Sequence, residues 1–169
     1  WSAFYGVNVV GTENVIAACL SCGVPRLVNT SSPSVIFDGK SQEGVDETAP
    51  YPARYESPYP HTKAIAEQRV TAANSAALLT VSLRPHLIFG PRDTHLLPGL
   101  LARAARGQVP QVGDGTNRVD LTYVEDAARA HLLAADALQP GSPVAGGLYF
   151  ISQGEAVVLW PWIGELLAA

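Results

Sequence analysis

Two hydrophobic periods alternate along the chain. The first apolar positions recur at the three- and four-residue spacing of an amphipathic helix, and they are Val7, Val10, Val15, Ala18 and Cys19. Gly23 and Pro25 end this pattern. The next stretch, RLVNTSS at 26–32, is short and rich in residues that favour strands, which predicts a buried strand entering a polar turn.

Helical and extended patterns continue to alternate downstream. Helices are predicted at 59–74, at 97–106 before Gly107, at 124–138 and from 159 onwards. Strands are predicted at 146–152 and at 78–90, the latter running into a loop that begins at Pro85, with short strands around a Gly-Asp-Gly turn in 109–124. This alternation predicts an α/β fold with a parallel sheet covered on both sides. The irregular stretch at 33–58 exceeds about 12–15 residues, a length at which loops are usually functional.

The composition is that of a soluble globular protein, with 47% hydrophobic and 15% charged residues over 169 positions. A net charge of −4 provides no broad basic face, so nucleic acid is not an expected partner. There is neither an uninterrupted apolar run of the ~18 residues needed for a membrane span nor a recognisable signal peptide, which predicts a cytoplasmic protein. Because the chain lacks methionine and opens inside a helix, we expect it to be a piece of a larger protein.

Neither the cysteines nor the histidines predict redox or metal chemistry. Cys19 and Cys22 form C-L-S-C at the end of a predicted helix, whereas a redox pair precedes one, so we interpret them as packed or surface thiols. His61 is interpreted as a surface or loop contact rather than a base. No carboxylate stands at ligand spacing around His86 or His95, so no metal is expected.

A tyrosine and a lysine stand four residues apart in SPYPHTKAIAEQ, at 57–68. On a helix, Tyr59 and Lys63 share one face. A phenol has an unperturbed pKa of about 10, and an ammonium one turn away favours the phenolate. The pair can therefore exchange the proton of an alcohol while hydride moves to or from a nicotinamide. Such pairs also arise by chance on many helices, so the rest of the chain must support this interpretation.

The order of segments supplies that support. A strand, the TSS triplet, a long loop, the tyrosine helix and a strand ending in Arg-Pro follow one another. Serine at the carboxyl end of a parallel strand can hold a substrate oxygen, since ligands of open parallel sheets bind at those ends. The alternative is that Ser31 and Ser32 only cap a turn and that Asn8 only bonds the backbone of its own helix.

With these motifs the sequence resembles the extended short-chain dehydrogenase/reductase superfamily, and most closely its 3β-hydroxysteroid dehydrogenase branch. The stretches that carry the resemblance are TSSPSVIFDG, YPHTKAIAEQ, LRPHLIFGPRD and GDGTNRVDLTYVEDAARAHLLAA. They are similar to sterol-4α-carboxylate 3-dehydrogenases and to bacterial 2-alkyl-3-oxoalkanoate reductases. The resemblance implies a Rossmann-like doubly wound parallel sheet, NAD or NADP as cofactor, and an apolar 3-hydroxy or 3-oxo substrate.

The resemblance also implies roles for single residues. Tyr59 would be the general acid/base, Lys63 its activator and ribose ligand, Ser32 the catalytic serine, and Asn8 the asparagine that supports the site from the neighbouring helix. The cofactor would meet Tyr59 and Lys63, and further Thr30, Ser31, Pro85, His86 and Leu87. The substrate would meet Ser34, Arg92 and His95. Ser34 would point to the same side as Ser32 if the strand continued.

The chain has no G-x-G-x-x-G, and the glycines of GDGT at 113–116 precede a predicted strand rather than a phosphate-binding helix. We therefore expect 1–169 to be a fragment of one extended NAD(P)-binding domain whose first βαβ units are missing, with 91–123 and 153–169 contributing to the substrate region. NAD and NADP cannot be distinguished. The isolated chain is expected to bind NADH weakly at best.

One departure from the superfamily bears on the substrate. Nucleotide-sugar epimerases and dehydratases carry an arginine directly before the aspartate of R-D-x-x-Y-V-x-D, where Val119 stands here and Arg118 comes one residue too early. On a strand, a shift of one residue turns the side chain to the other face. Such an epimerase or dehydratase remains the first alternative, and a non-enzymatic NAD(P)-binding regulator the second. Relatives in the extended short-chain dehydrogenase/reductase superfamily also suggest a homodimer, paired through helices 5–22 and 59–74.

Overall fold

In a computed structural model the chain is described over residues 1–94, 96–107, 111 and 113–168. The helices are α1 (Ser2–Tyr5), α2 (Gly11–Ser21), α3 (Pro58–Ala72), α4 (Leu96–Ala104), α5 (Val124–Ala137) and α6 (Leu159–Ala168). The strands are β1 (Arg26–Thr30), β2 (Leu79–Pro85), β3 (Ile88–Phe89), β4 (Arg118–Val119), β5 (Thr122–Tyr123), β6 (Leu148–Ile151) and β7 (Val157–Val158). They belong to two compact units.

The first unit comprises Trp1–Pro85 and Arg129–Ile151 and is built on a three-stranded sheet. Its strand order is β1-β2-β6 and both pairings are parallel, with Thr30 opposite Leu83. The central strand β2 is buried along nearly its whole length, as expected for a strand covered on both faces. The predicted α/β class with a parallel sheet is therefore confirmed.

β1 and β2 end close to where the sequence predicts. β1 ends at Thr30, where the polar turn is predicted, and Pro33 then opens a 3₁₀ helix, Pro33–Ile36. Proline has a helix-compatible φ and no N–H to donate to a sheet, so it favours this turn. The prediction that the first strand is buried is wrong, because β1 stands at one end of the strand order and is only partly buried. β2 ends at Pro85, where the sequence predicts a loop, and the separate two-residue β3 follows.

α1 and α2 are parts of one continuous helix, Ser2–Ser21, interrupted only in its winding by a π-helical segment, Gly6–Val10. It ends where the sequence predicts: Gly23 adopts a φ of +66°, and the Val24 N–H donates to the Cys19 carbonyl at 2.8 Å, as in a Schellman motif. By length and mean hydropathy alone this helix is able to cross a membrane, although it contains no uninterrupted apolar run of that length. Glu13 on its surface pairs with Arg69 of α3 at 3.2 Å.

The second unit comprises His86–Ala128 and Ser152–Ala169. The two short strands that follow the Gly-Asp-Gly turn do not pair with each other: β4 pairs antiparallel with β7, and β5 pairs parallel with β3. The strand predicted before the turn, from 109 onwards, lies mostly outside the described residues. Phe89 of β3 contacts two rings edge-on, Tyr123 at 5.7 Å and Trp162 at 5.2 Å between centroids. These aromatic contacts connect β3 and β5 of the second unit to α6.

Candidate active site

Tyr59 and Lys63 lie in the first two turns of α3. The helix begins at Pro58, whose fixed φ suits the first helical position. Tyr59 therefore lies in the first turn, and Lys63 lies one turn later. The Tyr59 ring is 43% exposed and meets the edge of Phe4 with ring centroids 6.3 Å apart. Its phenol makes no hydrogen bond to a described residue. This arrangement leaves the hydroxyl accessible to a substrate.

The Lys63 ammonium is half-buried and donates to the Thr30 carbonyl at 2.6 Å. Burial lowers the pKa of Lys63, while the charge of Glu67 one turn further along the helix acts in the opposite direction. An ammonium has three N–H donors. Thr30 occupies one of them, so two remain for the Tyr59 phenol and for the hydroxyls of a ribose.

The hydroxyls of Ser32 and Ser34 lie 2.8 Å apart. The expectation that Ser34 points to the side of Ser32 on a continuing strand is wrong in its reason, because β1 has already ended. Instead Ser32 is the N-cap of the 3₁₀ helix, and its hydroxyl accepts the Ser34 N–H at 3.2 Å. The turn brings the two side chains together, so one hydroxyl donates to the other and the proton of the second hydroxyl can reach a substrate oxygen.

The residues that precede Ser32 are held by neighbouring elements. The Ser31 N–H donates to the Leu83 carbonyl at 2.6 Å, which carries the sheet pairing one residue past β1. The Thr30 hydroxyl lies 2.7 Å from Nε2 of His131 on α5, a contact that the sequence did not suggest. Since the Thr30 carbonyl also receives Lys63, the end of β1 connects two helices.

Asn8 bonds across to α3 rather than within its own helix. Its side-chain amide donates to the Thr62 hydroxyl at 2.9 Å, while the hydroxyl of Thr12 donates to the Asn8 carbonyl at 2.7 Å. The alternative that Asn8 only bonds the backbone of its own helix is therefore not what the structure shows. The asparagine links the π-helical segment to the helix that carries Tyr59.

A buried ion pair below this site was missed by the sequence analysis. Glu67 and Arg84 are 0% and 1% exposed, and they form two hydrogen bonds, Nε to Oε2 at 2.9 Å and Nη2 to Oε1 at 2.7 Å. The Tyr51 hydroxyl donates to Glu67 Oε1 at 2.7 Å. Burial by itself would raise the pKa of Glu67, but interactions with Arg84, Ser31 and Tyr51 lower it overall.

The long irregular stretch is fixed by its own polar side chains. Tyr51 reaches Glu67, Tyr55 donates to the Val35 carbonyl at 2.9 Å, and Glu47 accepts the Phe150 N–H of β6 at 2.7 Å. His61 stacks on Tyr55 with centroids 4.8 Å apart, which agrees with its interpretation as a loop contact. The loop is therefore an ordered part of the first unit.

The other predicted cofactor and substrate residues divide between the units. Pro85 is the last residue of β2 in the first unit, whereas His86, Leu87 and Arg92 belong to the second. Burial lowers the pKa of His86, and the charge of Asp120 opposes this effect. The predicted substrate residue His95 lies outside the described residues.

Arg92 is unusual in its backbone. Among the described residues other than glycine it alone has a positive φ, of 67°. Such strain is found preferentially at functional sites. Arg92 lines a cavity of about 450 Å³ together with Ile88, Phe89, Gly90, Pro91, Asp93, Thr94 and Val124. A guanidinium beside apolar walls suits a substrate with an anionic or polar head and an apolar body.

Arg118 is engaged within the second unit. Its Nη2 donates to the carbonyl of Ala156, and Val119 beside it is paired with Val157. One of the five N–H donors of the guanidinium is thus used by a backbone carbonyl. In the described part of the chain there is no group of three or more His, Cys, Asp or Glu side chains that would hold a metal ion.

Comparison with known proteins decides the family. The profile of the 3-beta hydroxysteroid dehydrogenase/isomerase family matches residues 2–166. The chain belongs to this family. It is 51% identical to the 2-alkyl-3-oxoalkanoate reductase of Stenotrophomonas maltophilia, covering 100% of this chain and 52% of that protein. It is 40% identical to the human sterol-4-alpha-carboxylate 3-dehydrogenase, decarboxylating, covering 97% and 45%.

Solved structures that superpose on this member of the 3-beta hydroxysteroid dehydrogenase family agree on the fold. MoeE5 in complex with UDP-glucose and NAD superposes with a TM-score of 0.75 at 34% identity, covering 95% of this chain and 54% of that one. The UDP-glucose 4-epimerase of Thermus thermophilus in complex with NAD gives 0.72 at 32% identity, covering 97% and 55%. The chain spans about half the length of the curated relatives it matches.

Proposed function

We propose that this chain is the catalytic part of an NAD(P)-dependent oxidoreductase of the 3β-hydroxysteroid dehydrogenase type. The whole protein, meaning this chain together with a complete dinucleotide site, would move hydride between a nicotinamide and the 3-hydroxy or 3-oxo group of an apolar substrate. One observation carries the proposal: an exposed Tyr59 phenol stands one turn before a half-buried Lys63 ammonium, in the same unit as the paired hydroxyls of Ser32 and Ser34.

The side chains divide the proton chemistry between them. Ser32 and Ser34 hold the substrate oxygen, and Tyr59 gives it a proton as the ketone is reduced or removes one as the alcohol is oxidised. The partly desolvated Lys63 ammonium, one turn away on the same helix, would favour the phenolate form of Tyr59, because a charge acts more strongly away from water. The nicotinamide supplies or accepts the hydride when bound.

The cofactor is proposed to be NAD or NADP. Lys63 retains two donors for the ribose hydroxyls, and Thr30 and Ser31 stand beside it at the end of β1. Pro85, His86 and Leu87 are proposed to line the nicotinamide. Support comes from the neighbours that were solved with NAD.

The substrate is proposed to be a 3-oxo or 3-hydroxy acid or a sterol rather than a nucleotide sugar. Both curated relatives described above are named for carboxylated substrates with a large apolar body. Arg118 stands one position from the place of the diphosphate-binding arginine, and on a strand this shift turns its side chain to the other face. We propose that 91–123 and 153–169 form part of the substrate region, with Arg92 and His95 among its residues. The separate second unit, which contains both segments, supports this.

A nucleotide-sugar epimerase or dehydratase is the second candidate, favoured by the likeness to MoeE5 in complex with UDP-glucose. A substrate panel separates the two. The whole protein should oxidise NADH or NADPH with 2-alkyl-3-oxoalkanoates or 3-oxosterols and leave UDP-glucose unchanged. Conversion of UDP-glucose at a comparable rate would refute the oxidoreductase proposal. A regulator without activity would turn over neither, and the presence of both Tyr59 and Lys63 argues against it.

Replacing Lys63 should damage cofactor binding and turnover together. Lys63→Met keeps most of the side-chain volume but removes the ammonium, so the ribose loses its donor and the phenolate its positive neighbour. We expect KM for the nicotinamide cofactor to rise about tenfold and kcat to fall at least about a hundredfold, within the usual range for a lost charged contact and a lost acid/base activator. Steady-state kinetics measure both. Lys40→Met, on the exposed loop, is the matched control and should change neither.

The assembly is proposed to be a cytoplasmic homodimer paired through helices 5–22 and 59–74. The N-terminal helix supports this, because Val7, Val10 and Val15 are 75%, 41% and 49% exposed. Burying apolar surface in a four-helix interface would stabilise the dimer. Sedimentation of the whole protein should give a dimer that Val7→Glu converts to monomer. A monomer at every concentration of the unsubstituted protein would contradict the proposal.

A further inference from the structure

The hydroxyl of Thr62 joins the N-terminal helix to the tyrosine helix by a buried hydrogen bond. Thr62 is 0% exposed, although threonine is usually found near the surface. Its Oγ1 accepts the Asn8 amide at 2.9 Å and lies 2.9 Å from the Pro58 carbonyl and 3.1 Å from the Tyr59 carbonyl. Since a hydroxyl has one proton, the two carbonyls share it and the oxygen's acceptor side serves Asn8.

The N-terminal helix departs from α-helical winding where Asn8 stands. The Gly11 N–H bonds the carbonyl of Gly6, five residues back, instead of one four residues back. A π-helical turn is rare and appears mostly as a single bulge at functional sites. Here it surrounds the one side chain of the segment that donates to Thr62. The position of the bulge is an independent reason to expect that the contact between Asn8 and Thr62 has a function.

The same face of the N-terminal helix also meets the tyrosine ring. Phe4 lies four residues before Asn8, and its ring contacts the edge of Tyr59. The helix therefore touches Tyr59 at the ring through Phe4 and at the backbone through Asn8 and Thr62. These two contacts constrain the ring and the backbone of Tyr59 from the same helix.

We propose that Thr62 is a positioning residue whose hydroxyl, held by Asn8, fixes the first turn of α3 and thereby the direction of the Tyr59 phenol relative to Lys63. The inference rests on the proposed acid/base role of Tyr59. Removing the hydroxyl would let that turn rotate within its packing. A misplacement of about 1 Å at a reacting group is sufficient to cost about a hundredfold in rate.

Two substitutions at Thr62 separate the hydroxyl from the shape. Thr62→Val keeps the branched side chain and loses the hydroxyl, while Thr62→Ser keeps the hydroxyl. In the whole protein, Thr62→Val should lower kcat by about ten- to a hundredfold with KM for the cofactor within about twofold, and Thr62→Ser should restore most of kcat. Thr71→Val, at an exposed position of the same helix, is the control.

A spectroscopic test follows the Tyr59 ring in the whole protein. With ¹³C-labelled tyrosine, the Tyr59 ring signal is assigned by its loss in Tyr59→Phe. It should shift in Thr62→Val and in Asn8→Ala, and return towards its original position in Thr62→Ser. Asn8→Ala probes the same contact from a half-buried site should Thr62→Val not fold. In the double variant the shifts should not add, since the two residues form one contact.

Three results would overturn the inference. One is an unshifted Tyr59 signal with unchanged kcat in Thr62→Val, whatever its free energy of unfolding. Another is a Thr62→Ser enzyme as impaired as Thr62→Val, because the shape and not the hydroxyl would then matter. The third is an unshifted signal in Asn8→Ala. If Tyr59→Phe itself stayed active, the proposed function would fail instead, and the ring signal would still report whether Thr62 orients Tyr59.

Discussion

Tyr59→Phe is expected to abolish turnover in the whole protein and to leave cofactor affinity nearly unchanged. The substitution removes one oxygen from a ring that is 43% exposed, so little packing is lost. What disappears is the proton donor for the substrate oxygen. General acid–base catalysis contributes about 10²–10⁴-fold, and we expect kcat to fall by at least the upper part of that range. The measurement is kcat with a 3-oxo substrate, beside a titration of NADH fluorescence.

The matched control is Tyr149→Phe on β6, a tyrosine that is 37% exposed and outside the proposed site. It should retain turnover within about twofold, the scatter expected of a surface substitution. Near wild-type turnover by Tyr59→Phe would show that another group carries the proton. Loss of cofactor binding in the same variant would instead show that Tyr59 contributes to binding the cofactor.

Breaking the buried pair of Glu67 and Arg84 causes the largest loss of stability. Arg84→Met leaves a carboxylate that is 0% exposed without its two guanidinium bonds. Removing one partner of a buried pair costs about 3–5 kcal/mol of unfolding free energy. Urea unfolding of the chain measures it. The exposed pair Glu13–Arg69 is the control, and Arg69→Met should cost at most about 1 kcal/mol.

The double variant Glu67→Gln/Arg84→Met should recover part of the loss, because it leaves no buried charge. The loss in Arg84→Met should also depend on pH. The pKa of Glu67 is lowered in the folded chain from its usual 4.5, so its stabilisation is present above that value and lost as the pH falls through the folded pKa. The penalty of Arg84→Met should therefore shrink on acidification. A double variant as unstable as Arg84→Met would indicate that packing rather than charge is at issue.

The sequence was sufficient where local rules decide the structure. Helical spacing placed Tyr59 and Lys63 on one face, and Gly23 ended the first helix as predicted. The parallel sheet followed from the alternation of strands and helices. Each of these depends on neighbours within a few residues of one another, so periodicity and capping preferences reveal them.

Contacts between distant segments could not be predicted in the same way. Glu67 on a helix and Arg84 near the end of a strand each look like surface charges, and their pairing depends on how α3 packs on β2. An arginine in a strand otherwise rich in apolar residues was the one available signal. Asn8 and Thr62 are 54 positions apart, and no residue pattern marks the π-helical segment that aligns them. Ser34 reached Ser32 through a 3₁₀ turn because Pro33 ended the strand.

The most direct test of the account follows the hydride. The whole protein is given a 2-alkyl-3-oxoalkanoate and NADH or NADPH deuterated at C4 of the nicotinamide, and the product is analysed by mass spectrometry and NMR. The account predicts one deuterium at the new carbinol carbon, net oxidation of the cofactor, and neither event in Tyr59→Phe. Conversion of UDP-glucose without net cofactor oxidation, together with an unlabelled and unreduced 3-oxo acid, would contradict it.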